Sequence, residues 1–336
     1  MIATVVRAED APGPTLVVET GQLPGSALAS RGELGALREA LAGTPYARLN
    51  KIALYGPSAR SGPDLDYRFV QALPDGGFDF RTGCGHSLLA CVVASGRQGP
   101  VTVRAVTTGD VLHCTPEPPE SPGPPGPPGL PGPPESPGPP GPPEPSESPG
   151  PPEPPEPWGS YTLRFLRPPD APGTLPTGRP VDVLDEVPVS LVRYGNPYVF
   201  VDAAHLGIRT AEGLFRAGDD TLRRLLALRA HAARVLGYAP HSALPKIAAF
   251  TAGPGGTAVR ALTVGGWHPR LALTGAAALS AAAALPGTVV PPLDGPVHTP
   301  GGTVAVSADP HGVAVHHKRA TVLGRLELPW RIHATA

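Results

Sequence analysis

The densest chemistry in this chain lies in Arg81-Thr-Gly-Cys-Gly-His-Ser-Leu-Leu-Ala-Cys91. A Gly-Cys-Gly turn precedes an apolar run, which predicts a helix over Ser87–Ala94 with Cys84 at its N-terminus. Backbone N–H groups at such an end lack intrahelical partners and favour an anion. The same field lowers a thiol's pKa and makes the thiolate available. Gly83 and Gly85 let a carboxylate approach the backbone closely. A buried structural cysteine fits the same residues, because free cysteine is among the most buried residue types. Cys91, two turns further on, and Cys114 are expected in the core. The three cysteines have no metal-like spacing and no histidine cluster beside them. His316 and His317 are adjacent in a strand, so they face opposite ways and cannot form one ligand face. With no ligand set and no strand–Gly-x-Gly-x-x-Gly–helix phosphate site, no metal or organic cofactor is expected.

A second candidate is Lys51. It opens a predicted strand, Asn50–Tyr55, where alternation puts it on the face opposite Ile52 and Leu54. If those two pack inward, Lys51 emerges either into a cleft or into solvent.

Around these residues the pattern alternates strands and helices. Strands are expected at Thr4–Val6, Thr15–Val18, Asp66–Gln71, Val101–Val106, Val111–Cys114 and Tyr161–Phe165. In the second half they are expected at Val187–Arg193, Tyr198–Asp202, Ile247–Phe250, Ala258–Val264, Thr303–Ala308 and Val313–His317. Helices are expected at Gly32–Leu41, at Asp220–Leu236 with Leu225, Leu228, Ala232 and Val235 on one face, and at Thr274–Leu285. Each half holds strands and one apolar helix able to serve as a core. The pattern predicts two similar α+β units with a cleft between them.

One segment stands apart. Thr115–Pro157 is Pro, Gly, Glu and Ser with a single Leu, and Gly123, Gly126, Gly129 and Gly132 keep a period of three. That period is collagen's, but it breaks and resumes, too short and interrupted for a stable triple helix. With almost nothing apolar to bury, the segment is expected to be a disordered insert at the tip of a hairpin-like strand pair. The expected domains are 1–114 with 158–180, then 181–318, with a tail at 319–336 returning to the first.

Composition narrows the rest. The 336 residues carry a net charge of −1 and 49 prolines, 23 of them in the insert. A near-neutral chain shows no nucleic-acid footprint and no polybasic membrane patch. No signal peptide is indicated at the N-terminus, and the alanine-rich run Leu271–Leu285 falls short of the ~20 apolar residues that span a bilayer. Free thiols point to a cytoplasmic protein. The expected partner is a small carboxylate substrate, with a homodimer as the assembly carried forward and no nucleic-acid or membrane partner.

A series of motifs then resembles one family. Asn50-Lys-Ile-Ala-Leu, Asp64-Leu-Asp-Tyr, Phe78-Asp-Phe-Arg-Thr-Gly-Cys-Gly-His-Ser, Thr174-Leu-Pro-Thr-Gly, Gly195-Asn-Pro-Tyr-Val-Phe-Val, Pro245-Lys-Ile-Ala, Thr274-Gly-Ala and Leu285-Pro-Gly-Thr-Val occur in order. Together they resemble the PrpF-like 2-methylaconitate cis–trans isomerases of the diaminopimelate epimerase-like superfamily. The resemblance implies an α+β fold of two similar domains, each a curved, mostly antiparallel sheet around a central helix. It also implies a cofactor-independent isomerase or tautomerase that moves a proton and a double bond on a small unsaturated polycarboxylate.

By the same resemblance Lys51 and Cys84 are the catalytic residues. Gly83, Gly85, His86, Ser87, Asn196, His268, Thr274, Gly275 and Ala276 are the substrate-binding ones. Read from residue type alone, Asn196 fits a structural turn role as well. The departures fall among carboxylate-binding groups: Thr82 and His86 stand for asparagines, Arg179 for the linker asparagine, and His268 with Arg270 for a His-Lys motif. Arg7 is the one N-terminal residue left that could clamp a carboxylate. The alternative functions are a small-molecule binding protein that keeps the cleft without the chemistry, and a structural protein whose proline-rich arm recruits partners.

Overall fold

The computed structural model describes residues 2–23, 30–73, 75–118, 158–239, 242–263 and 266–328. The first half runs β1 (Ile2–Ala8), β2 (Thr15–Glu19), α1 (Arg31–Leu41), β3 (Lys51–Pro57), β4 (Leu65–Ala72), β5 (Phe78–Asp79), α2 (Gly85–Ala94), β6 (Val101–Ala105), β7 (Val111–Pro116) and β8 (Trp158–Phe165). The second runs β9 (Asp182–Leu184), β10 (Val187–Tyr194), β11 (Asn196–Asp202), α3 (Ala211–Phe215), α4 (Asp219–Val235), β12 (Lys246–Gly253), β13 (Gly256–Thr263), β14 (Gly266–Trp267), α5 (Leu273–Ala284), β15 (Val297–Thr299) and β16 (Gly302–Val304). Two last strands follow, β17 (Val306–Asp309) and β18 (Gly312–Glu327).

Two sheets result. The first follows β1–β2–β3–β4–β6–β7–β8–β18 and closes on itself, because the long β18 pairs with both β8 and β1. Inside it lies α2, whose residues Gly85–Val93 are all buried. A helix apolar on every side needs protein on every side, and closure supplies it. The second sheet is open, in the order β16–β15–β13–β12–β11–β10–β9. Its inner face packs on α5, buried from Leu273 to Ala282, and the strands β17 and β18 of the first sheet cover that helix from the other side. One apolar core therefore runs through both halves and contains both helices.

The halves repeat one course of elements. An antiparallel hairpin leads through helix to a parallel strand; an antiparallel strand and a short strand follow, then the core helix, a second parallel strand and its antiparallel partner. In the first half that course is β1 to β7 around α2; in the second it is β10 to β16 around α5. Every strand of β3 type is covered on both faces. Ile52 and Leu54 pack outward against Leu34, Leu37 and Leu41 of α1, while Ala53 and Tyr55 point inward to α2. Buried on both sides, such a strand reads as a continuous apolar run, not an alternation.

Several expectations need correction. On α4 the buried residues are Leu225, Leu228, Ala232 and Ala233, while Val235 is exposed; the stripe continues by four residues to the partly buried Leu236. Thr303–Ala308 is two strands in two different sheets, β16 and β17, separated at Ala305. The chain thus re-enters the first sheet at Val306, not after residue 318. The expected insert begins too early: β7 extends to Pro116, and Glu117 accepts hydrogen bonds from Thr162 Oγ1 (2.6 Å) and the His317 amide (3.0 Å). β7 and β8 do pair antiparallel. Residues 119–157, and with them the expected disordered collagen-like stretch, lie outside the described residues. No helix among the described residues is long and apolar enough to cross a membrane.

Candidate active site

The starts of α2 and α5 meet between the two sheets. Cys84 is the N-cap of α2 in extended conformation, with its carbonyl accepting from the Leu88 amide (2.9 Å) and from Tyr67 Oη (2.8 Å). Tyr67 is a buried barrel residue, so the helix start is pinned from inside the sheet. Ala272 is the equivalent N-cap of α5. Gly85 and Leu273 are in contact across the gap: a Cβ on Gly85 would lie 2.4 Å from Leu273 Cδ2. Glycine is required there by the approach of the second helix, not by backbone conformation.

A pocket of about 80 Å³ opens beside this junction, lined by Lys51, Thr82, Gly83, Cys84, Gly85, His86, Asn196, His268 and Thr274, with Tyr198 and Lys246. An adjoining chamber of about 390 Å³ shares Lys51 and Lys246 with it and adds Arg38 and Arg48. No Asp or Glu lines either space among the described residues. Lys51 heads β3 on the side of Ala53 and Tyr55, which is the barrel interior. Its alternation therefore leads into the cleft, where its Nζ donates to the Gly13 carbonyl at 3.3 Å. Burial lowers its pKa and the Arg7 charge adds to that, with Cys84 opposing. Lys246, part-buried at the head of β12, is pushed down to about 8, mainly by burial and also by Arg229.

The two histidines are uncharged donors or acceptors. His86 is buried with an Nε2 that has no partner among the described residues, and burial holds its pKa well below the imidazole range. His268 is pushed down to about 4, chiefly by burial. The Arg270 amide donates to its Nδ1 at 3.1 Å, which assigns the ring proton to Nε2.

The structure divides the expected site residues. Lys51, Gly83, Cys84, Gly85, His86, Asn196, His268 and Thr274 converge on one pocket. Ser87 does not line it; the hydroxyl is fully buried and shares a 2.9 Å hydrogen bond with Thr15 inside the barrel. Gly275 and Ala276 do not line it either. Their amides already donate to the Ala272 carbonyl, at 2.7 and 2.9 Å, as the first turn of α5 closes. Asn196 faces the pocket but is fully employed: Nδ2 donates to the Gly83 carbonyl (2.8 Å) and Thr274 Oγ1 (3.3 Å), and Oδ1 accepts from the Gly83 amide (2.8 Å). It ties one helix start to the other. Arg270 is paired with Asp10 at 2.6 Å, and Asp10 also holds Lys318 at 2.5 Å. Arg7 is exposed and lines neither space. Lys246 is the residue that sequence reasoning missed. Its signal was present, since Lys-Ile-Ala occurs at both Lys51 and Lys246. Among the described residues no group of three or more His, Cys, Asp or Glu could hold a metal ion.

Comparison with known proteins adds a sequence match and a fold. The chain matches the PrpF family (PrpF protein) over residues 158–324. None of the curated proteins matches it. Among solved structures it resembles a methylitaconate-delta-isomerase, with a TM-score of 0.63, 19% identity and 98% of each chain covered. It also resembles a hydroxyproline epimerase from Agrobacterium vitis with bound trans-4-hydroxy-L-proline, with a TM-score of 0.56, 15% identity, and coverage of 97% of this chain and 91% of that one.

Proposed function

We propose, from the premise that the chain belongs to the PrpF family, that it is an isomerase moving a proton and a double bond on a small unsaturated polycarboxylate. Lys51 is the principal acid/base group in this reading and Cys84 has the supporting role. The observation that carries it is the meeting of an amine with a lowered pKa and the thiol of the residue at a helix N-cap position in one pocket that has no carboxylate in its described lining. The isomerase and epimerase named among the structural neighbours are consistent with that chemistry.

The steps follow from the groups present. An ammonium cannot accept a proton, so a lysine acts as base only when its surroundings favour the neutral amine. Burial gives Lys51 that bias. A neutral amine takes a proton from an allylic carbon; the electron pair enters the system conjugated with the substrate carboxylate; an acid returns a proton two carbons away. Charge that builds on the carboxylate oxygens faces the first amides of α2, which precede the Leu88-to-Cys84 hydrogen bond and so lie outside the helix ladder. The uncharged His86 and His268 can hold substrate oxygens without altering net charge. These transfers use the chain's own side chains and call on no cofactor.

The alternative is a small-molecule binding protein that has kept the cleft. In its favour, Arg270 is committed to Asp10 and leaves the pocket without that cation. Incubation with a panel of unsaturated di- and tricarboxylates in heavy water, followed by proton NMR, separates the two. The isomerase reading expects deuterium uptake with migration of the double bond in at least one compound. Binding without uptake across the panel would leave the alternative standing.

A further inference from the structure

The repeated course of elements places two lysines at matching points. Lys51 is the first residue of β3 and Lys246 the first of β12, each the parallel strand reached from a hairpin through a helix. Both side chains line the small pocket and both line the larger chamber beside it. We propose that Lys246 is the second acid/base group of this site, serving the substrate carbon opposite to the one served by Lys51. This rests on the isomerase reading above.

Four observations support it. The chain uses lysine sparingly: of its 27 basic residues, three are lysines, Lys51, Lys246 and Lys318. Arginine stays protonated in proteins, so only lysine of the two can exchange a proton. Lys318 is spoken for by its buried ion pair with Asp10. Lys246, by contrast, has no hydrogen bond or ion pair among the described residues, and burial brings it down to about 8, where amine and ammonium are both populated near neutral pH.

The other candidates for the second transfer are weaker. The α5 N-cap, which matches Cys84 by position, is Ala272 and carries no exchangeable proton. His268 spends Nδ1 on the Arg270 amide and, with its pKa near 4, is not an acid at neutral pH. Cys84 lies on the same half as Lys51, whereas Lys246 reaches the pocket from the other half.

The balance closes without a co-reactant. One C–H bond breaks and its proton goes to the neutral amine. The electron pair shifts the double bond. A new C–H bond forms two carbons away with the proton of the other lysine's ammonium. The lysines end with exchanged protonation states and reset against water; in the reverse direction their roles exchange.

The test uses the full chain, with Lys51→Gln and Lys246→Gln, on whichever panel compound the wild type isomerises. Each variant should lose isomerisation by ~10²–10⁴-fold; Lys246→Gln should retain deuterium uptake at the allylic carbon of that compound, and Lys51→Gln should retain it at the allylic carbon of the isomerised product when incubated with that product. Isomerisation by Lys246→Gln at close to the wild-type rate would overturn the proposal. Loss of uptake at both carbons in Lys246→Gln would also overturn it, reducing Lys246 to a positioning residue. With just three lysines, ¹³Cε labelling gives a second readout that needs no substrate. Lys246 should titrate near 8 and move upward in Lys51→Gln; a midpoint in the ordinary lysine range, roughly 10.4, would sink the pairing. If the wild type acts on no compound, the isomerase reading fails and this proposal falls with it; a wild-type reaction that Lys246→Gln preserves removes this proposal alone.

Discussion

The barrel and the open sheet present the same run of elements to the shared pocket, yet they agree at the strand starts and differ at the helix starts. Both strand starts carry lysine. At the helix starts Cys84 corresponds to Ala272, Gly85 to Leu273, and Ser87 to Gly275. The differences compensate in volume. Leu273 fills the space over Gly85, and Tyr198 fills the space over Gly275, where a Cβ would lie 2.6 Å from its Oη. In the barrel the smaller pair Thr15 and Ser87 occupies the corresponding place with a hydrogen bond. The lesson is that a repeated frame specifies where a side chain reaches the cleft, while close-packed neighbours decide which of the two ends keeps a reactive group.

The sharpest way to break this comparison is at the reactive end. Lys51→Ala should lower isomerisation by ~10²–10⁴-fold, and Cys84→Ser should lower it less, measured as turnover on the same compound. Equal losses would mean that the helix start contributes as much as the strand start, and the division drawn between them would be wrong.

The next effect is on stability. Leu89 in α2 and Leu279 in α5 are both fully buried. Replacing either by Ala should cost ~2–5 kcal/mol in urea unfolding. Leu279→Ala is expected at the upper end, because its helix neighbours Ala276–Ala278, Ala281 and Ala282 are too short to move into the space. A cheaper Leu279→Ala would show that the open sheet relaxes where the closed barrel does not.

What was legible in the sequence follows the same division. The Gly83–Cys84–Gly85 turn was readable because a helix start is a local event with local residues. So were the core helices, whose apolar runs lack any polar face. The role of Asn196 was not readable, because its three hydrogen bonds reach Gly83 and Thr274, residues remote in sequence. The orientation of Ser87 and Gly275 is not legible either, because a first-turn residue can face the ligand or the core, and rotation about the helix axis is set by tertiary packing. Thr303–Ala308 kept one alternation across Ala305, so nothing periodic marked the change of sheet. The place of Lys246 is not legible from its Lys-Ile-Ala alone, since the equivalence of β3 and β12 appears only in the strand pairing.

A smaller effect probes the packing of the helix starts. Gly85→Ala and Gly275→Ala should each cost ~1–3 kcal/mol as overpacked sites. In Gly85→Ala the neighbour that must move is Leu273, so Leu273→Ala combined with it should recover part of the loss. Additive losses in the double variant would show that the helix starts are not in the contact described.

The smallest effect separates the halves by pH. His268 belongs to the second half and is held at about 4 in the folded protein, against roughly 6.5 when exposed. Between those values the unfolded chain binds the extra proton, so stability rises with pH through this window and falls on acidification. The contribution is complete above about pH 6.5, has fallen by about 1 kcal/mol at pH 6 and by about 2 kcal/mol at pH 5. His86, in the first half, is shifted in the same direction by burial and by the charges of Lys51 and Lys318, so it adds to the slope. His268→Gln should flatten part of the slope of urea stability between pH 6.5 and 5, and adding His86→Gln should flatten it further, leaving the part that His316 contributes, since burial lowers its pKa as well. A slope unchanged by His268→Gln would place the acid sensitivity in the barrel alone and show that the second half meets the pocket without an electrostatic cost.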